Sequence, residues 1–252
     1  MVVIHMVAEE LRRLLSRRRF WILAAALAAI LVYIISLNTT RVHPGSAPAD
    51  FMIALMANLP WELPIITGLA VGDSFAIDRH TSWATFVLTR GLTRRRYIVA
   101  KGIGMAIAIC LLLTMSLAVA AVAAAHMKGL APTVSTSEFA NINPADHASY
   151  LAHPWWFAAQ FAGVDLLAAA AYSTTALLLA VWVPIPFVVS IVPALAIFVA
   201  MVTIPESAQQ WNPSRILALE RGTMSGRFMY FLIWLLVAAT VAIIAYGKQE
   251  DA

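Results

Sequence analysis

FWILAAALAAILVYIISL, residues 20–37, holds no charged side chain from end to end. As an α-helix these 18 residues rise about 27 Å, close to the roughly 30 Å hydrocarbon core of a bilayer. Arg12, Arg13, Arg17, Arg18 and Arg19 stand just before the run. Basic flank and apolar run together resemble a secretion signal, but a signal core has about 7–15 residues and is followed by a small-x-small cleavage site. The run is longer, and no such site follows. It reads as an uncleaved transmembrane anchor.

The same signal recurs along the chain at 51–72, 97–125, 156–182, 184–203 and 228–246. The 252 residues are 62% hydrophobic and 12% charged, against roughly half and roughly a quarter in soluble proteins, so a charged outer skin is missing. In lipid the backbone must satisfy its own hydrogen bonds, which makes each stretch a helix. The expected fold is therefore an all-α membrane protein with six transmembrane helices. One domain covers 20–247, an interfacial helix 1–19 precedes it, and a tail 248–252 follows.

Six passes put both termini on one side, and the basic residues choose the side. Twelve lie in the amino-terminal segment, the loop 73–101 and the tail, against five (Arg41, Lys128, Arg215, Arg221 and Arg227) on the opposite face. Both termini are expected to be cytoplasmic. Because the net charge of +4 sits at span edges, it argues for a lipid bilayer as partner and against nucleic acid. Cys110, the single cysteine, lies within a span and implies no disulfide framework. The link at 183–186 carries no charge, so spans four and five could form one helix broken by Pro184, Pro186 and Pro193. Their combined length, about 48 residues, favours two passes. The loop 204–226 carries more arginine than an outer position favours and has room for short helices dipping back.

Before the anchor, Ile4, Val7, Ala8, Leu11, Leu14 and Leu15 recur at helical spacing. Glu9, Glu10, Arg12, Arg13, Ser16 and Arg17 take the other face. Such a helix suits the headgroup plane, its arginines meeting anionic lipid; a solvated basic tail is the alternative.

The loop after span two reads GDSFAIDRHTSWATFVLTRGLTRRRYIVAKGIGM, residues 72–105. Trp83, Phe86, Val87 and Arg90 fall on one helical face. Asp78 is a candidate N-cap and Gly91 a candidate stop. A surface helix carrying Trp and Phe needs something to cover them: a protein groove or the membrane surface. This loop, with the opening EELRRLLSRRRFWIL at 9–23, resembles the ABC-2 type permeases, the membrane subunits of ABC exporters. The likeness spans the chain in topology but only about 45 positions as a residue motif.

What the resemblance implies is specific. Residues 1–19 correspond to the family's elbow helix. Asp78, Arg79, His80, Trp83, Phe86, Val87 and Arg90 correspond to the coupling helix that docks on the ATPase. The chain is then a transport subunit and not an enzyme. It holds no cofactor; ATP and magnesium belong to two copies of an ATP-binding cassette partner. A second permease copy or a related permease completes the assembly, in the inner (plasma) membrane of a prokaryotic-type cell. The sequence contains no G-x-x-x-x-G-K-[ST] motif, so ATP hydrolysis by that route is excluded on this chain. H-E-x-x-H, G-x-S-x-G and Cys-x-x-Cys motifs are also absent. His126, Asp146, His147 and His153 share the third loop at a spacing that matches no standard metal site.

Glu62, Gln160 and Asp165 lie inside expected spans. A carboxylate at mid-bilayer costs on the order of 3 kcal/mol and needs a cavity or partner. Glu62 sits between two prolines in NLPWELPIITG, residues 58–68, where lost backbone bonds would open the helix. Two readings stand side by side: these residues line a substrate path, or they hydrogen-bond neighbouring helices. An ion-coupled secondary transporter using Glu62 and Asp165 is the alternative function, although no inverted repeat is visible. A membrane enzyme lacks a polar cluster to work with. Gly68 and Gly72 form a small-xxx-small pair suited to close helix contact, within the chain or at a dimer interface. The resemblance implies an exported cargo such as a drug, peptide antibiotic or lipid-like molecule, and the apolar composition with few charges favours a hydrophobic or amphipathic one.

Overall fold

A computed structural model describes residues 2–40, 47–89, 91–128, 144–183, 185–203, 213–217 and 223–248. Among these, every regular element is helical. In chain order they are α1 (Val2–Leu15), α2 (Arg18–Thr40), α3 (Ala47–Thr67), a π-helical turn (Gly68–Gly72), α4 (Ser74–His80), α5 (Trp83–Thr89), α6 (Arg94–Lys128), α7 (Pro144–Ala152), α8 (Pro154–Trp182), α9 (Pro186–Thr203), α10 (Pro213–Leu217) and α11 (Met224–Lys248).

Four helices, α2, α6, α8 and α11, are long and apolar enough to cross a membrane. A fifth candidate is the pair Ala47–Met56 and Leu59–His80, which bends by 59° inside α3 and runs on into α4. The bend precedes Pro60, whose missing N–H leaves the Met56 carbonyl without its helical partner. α9 carries a shorter apolar stretch, Pro186–Val199. Along α6, Ile103, Ile107, Leu111, Met115, Val119 and Val122 form an exposed row. In water such a stripe would be costly, and it suits a helix facing lipid. The chain is an all-α protein built to sit in a membrane.

α8 is the central helix and packs against α3, α6, α9 and α11. Its buried run Ala168–Thr174 is mostly alanine, so neighbours approach closely. Tyr172 meets the Trp234 ring of α11 edge-on at 5.3 Å, and Trp234 Nε1 donates to Thr175 Oγ1 at 3.1 Å. The α8–α9 question resolves into two helices: α8 ends at Trp182, and Val183 is extended. Gly68 and Gly72 serve contact within the chain. A Cβ on Gly68 would lie 1.9 Å from the Ser190 carbonyl oxygen of α9, and one on Gly72 would lie 3.3 Å from the Ala176 Cβ of α8. The loop 204–226 contributes α10, which packs on α3 and α9 with Leu217 fully buried.

At one end of the bundle gather α1, α4, the starts of α2 and α6, and the ends of α8 and α11. Phe75 of α4 meets the Tyr246 ring at 5.2 Å. Arg94 lies 5.6 Å from that same ring, and Arg95 abuts Gly247. The beginning of the bundle and its final helix thus finish at the same end.

Candidate functional site

Three helices at that end each contribute a pair of polar residues one turn apart. α1 offers Glu10 and Arg13, α4 offers Ser74 and Asp78, and α6 offers Tyr97 and Lys101. The i, i+3 and i, i+4 spacings put each pair on one face. Lys101, only 2% exposed, donates to Glu10 Oε2 at 2.8 Å and to Asp78 Oδ2 at 2.5 Å. Arg13 pairs with Asp78, reaches Glu10 Oε2 at 2.9 Å and donates to Ser74 Oγ at 3.0 Å. Ser74 donates to Glu10 Oε1 at 2.6 Å, and Tyr97 donates to Asp78. Two carboxylates, two cations and two hydroxyls thereby pair with one another, with Arg13 at the partly exposed edge and its Nε unbonded, since buried charge is costly without such partners.

A second cluster adjoins the first. Asp73, next to α4, accepts from Arg17 at 3.1 Å and pairs with Arg19. Its carboxylate is committed to these arginines and makes no capping bond to α4. Burial alone would lower the Arg13 guanidinium, yet the Asp78 hydrogen bond and the Glu10 and Asp78 charges outweigh it and hold Arg13 above its ordinary value. Arg17 goes the other way: burial first, then neighbouring Arg19, pulls it down against the opposing charge of Asp73.

The seat of α1 depends on Gly104. A Cβ there would lie 2.8 Å from the Glu10 Cγ, so any larger residue would force Glu10 or α1 itself to shift. This revises the expected interfacial helix in two ways. α1 ends at Leu15, where the Trp21 indole N–H donates to the Leu15 carbonyl at 2.7 Å, and α2 starts at Arg18 rather than after residue 19. Glu10, Arg13 and Arg17, expected on a headgroup face, turn onto the protein because Lys101, Asp78 and Asp73 offer opposite charges there. Ile4 and Ala8 are exposed instead.

The expected single helix from Arg79 to Arg90 is two. α4 ends at His80, and Ser82 takes a φ of 58° before α5 begins at Trp83. Asp78 therefore lies inside α4, buried in the ion cluster, and is not an N-cap. Arg79 also turns inward: its Nη1 donates to the Ala180 and Val181 carbonyls at 3.2 and 2.5 Å. It thereby donates to carbonyls in the last turn of α8, where helix ends call for outside donors. His80 stays exposed and Val87 is half-buried. Trp83 and Phe86 are 42% and 44% exposed, their rings stacked at 5.3 Å. Gly91, with φ of 85°, follows α5 in the left-handed conformation that suits glycine. Arg90 lies outside the described residues. Between α5 and the cluster is a cavity of about 270 Å³ lined by Met6, Glu9, Arg13, Trp83, Val87 and Tyr97.

Of the intramembrane candidates, Glu62 is half-buried on α3 with no hydrogen bond at Oε2. Gln160 is exposed on α8. Asp165, five residues further along α8 and on a different face, is fully buried with no hydrogen bond at either oxygen; the charge facing it is Arg227 of α11. Sequence reasoning passed over Glu10, Arg13, Ser74, Tyr97, Lys101 and Arg227 as site residues. One signal was available: Lys101 lies inside the third apolar span, where a charge needs a partner.

No protein-family model matches this sequence, and no curated protein matches it.

Proposed function

We propose that this chain is the permease subunit of an ATP-driven exporter of the ABC-2 type. It has six transmembrane helices and cytoplasmic termini, and lies in the inner (plasma) membrane of a prokaryotic-type cell. In this reading it pairs with itself or a related permease and binds two copies of a separate ATP-binding cassette subunit that carries ATP and magnesium. The cargo is hydrophobic or amphipathic.

One observation carries the reading. Trp83 and Phe86 form a stacked, exposed aromatic pair on α5, and the preceding helix α4 is held by buried charges at Asp78. Such rings are good docking anchors because they bury large area at small entropic cost. A push on α5 passes through α4 into α1 by Asp78 and Ser74, into α6 by Asp78, and into α8 by Arg79. That is the geometry a permease needs if nucleotide-driven closure of a partner is to shift helix packing between two states. Of the expected docking set, Trp83, Phe86 and His80 face outward, while Asp78 and Arg79 anchor the helix from behind.

The test is to purify the chain from native membranes and identify what accompanies it. A P-loop ATPase is expected, with Trp83→Ala/Phe86→Ala weakening its association at least tenfold while the helical content stays unchanged. Absence of any such ATPase, or association and hydrolysis unaffected by the double change, refutes the docking role. Trp83→Cys adds a control: labelling by a lipid-borne probe but not by an aqueous one would make α5 a membrane-surface helix.

Asp165 supports a second reading, an ion-coupled secondary transporter, because its buried carboxylate makes no hydrogen bond. Proteoliposomes holding the chain alone would then accumulate cargo under a proton or sodium gradient without nucleotide, and Asp165→Asn would abolish it.

A further inference from the structure

At the end of the bundle opposite the ion cluster, α7, α8 and the start of α11 line an open cavity of about 770 Å³. Its polar lining includes Asp146, Ser149 and Gln160; its apolar lining includes Val164, Phe228 and Met229. Asp146 is only 7% exposed. One of its oxygens accepts from the Met224 N–H at 3.5 Å, while Oδ2 makes no hydrogen bond. Just behind the lining lie Asp165 and Arg227, 0% and 1% exposed, and both carboxylates act on the Arg227 charge. Asp146 Oδ2 is therefore a buried carboxylate oxygen without a donor. A buried polar atom of this kind is costly unless something donates to it. Gly163 also lines the cavity, and a Cβ added there would have open space, with nothing within 4 Å.

We propose that this cavity binds an amphipathic organic ammonium ion, its cationic head at Asp146 and Gln160 and its apolar body against Val164, Phe228 and Met229. The volume falls in the range of sites for organic molecules, which combine apolar walls with a few placed polar groups. The ammonium supplies the hydrogen-bond donor that Asp146 Oδ2 lacks, and a charge-assisted bond of this sort is among the stronger ones. The site requires no motor subunit, so it can be tested separately from the exporter reading.

The probe is dansylcadaverine, a fluorescent primary ammonium, titrated onto the purified full-length chain in lipid nanodiscs. Its N-acetylated, uncharged form is the comparison. The cation is expected to bind at least tenfold more tightly than the acetylated form, with Asp146→Asn erasing that preference. Gly163→Leu fills open space without displacing a neighbour, so its thermal midpoint should stay at the parent value while saturable binding is lost. Equal binding of the two probes, or full cation binding by a folded Gly163→Leu protein, overturns the proposal. If Asp146→Asn fails to fold, the probe comparison and Gly163→Leu decide the matter alone.

Discussion

Replacing Lys101 by methionine isolates the energetic core of the ion cluster. The ammonium sits 2.8 Å from Glu10 Oε2 and 2.5 Å from Asp78 Oδ2, on a residue 2% exposed. At an effective dielectric of about 20, each contact is worth roughly 6 kcal/mol before desolvation, and desolvation offsets most of that. The side chain's shape is kept, but two buried carboxylates are left sharing Arg13, Ser74 and Tyr97. Breaking a buried pair in this way costs about 3–5 kcal/mol, whereas an exposed pair contributes under about 1 kcal/mol. The assay is unfolding by SDS titration in mixed micelles, followed by circular dichroism, for Lys101→Met, Glu10→Gln and the double variant. The double variant should lose less than the sum of the single losses, with coupling above about 1 kcal/mol. A Lys101→Met loss below 1 kcal/mol, or additivity within about 0.5 kcal/mol, would refute the idea that this cluster clamps three helices together.

Other outcomes follow from single contacts. Gly68→Ala places a methyl 1.9 Å from the Ser190 carbonyl oxygen, so α9 must move; a loss of about 1–3 kcal/mol is expected, readable as a lowered thermal midpoint, and an unchanged midpoint would refute the packing. Arg79→Ala removes donors from the Ala180 and Val181 carbonyls, and a loss of about 1.5–3 kcal/mol is expected, with faster hydrogen exchange at the last turn of α8. Under the proposed exporter reading, Glu62→Gln keeps size and half-burial, so surface abundance should hold while export falls several-fold; unchanged export would remove Glu62 from a substrate path.

The apolar runs were legible because hydrophobicity is a property of the residues themselves, and α2, α6, α8 and α11 each contain an expected span. Pro60 and Pro64 marked the region where α3 bends, since a missing N–H needs no tertiary knowledge to be noticed. Charge placement was less legible. Glu10, Arg13 and Arg17 share a helix with an apolar stripe, and amphipathic patterning assigns charges to the wet side. Their true surroundings depend on residues 56 to 91 positions away along the chain, which local periodicity does not sense. The same limit applied to Arg79, whose partners are the carbonyls of Ala180 and Val181, and to the split at Ser82. α7 escaped notice because its nine residues are too few for a clear period. Arg227 stood one residue outside the last expected span and passed for a loop charge. Lys101 alone left a signal, as a cation within an apolar run, and it was counted with the loop 73–101 instead.

The seat of α1 also carries a consequence for biogenesis. Glu10 leaves the ribosome 91 residues before Lys101 and Arg13 leaves 65 before Asp78, which at about 5–20 residues per second is an interval of roughly 3–18 s. Throughout that interval the amino-terminal arginines have no carboxylates from α4 to meet, and anionic headgroups are the natural temporary host. Translation of α6 then supplies Lys101, so α1 is made well before the partners that seat it.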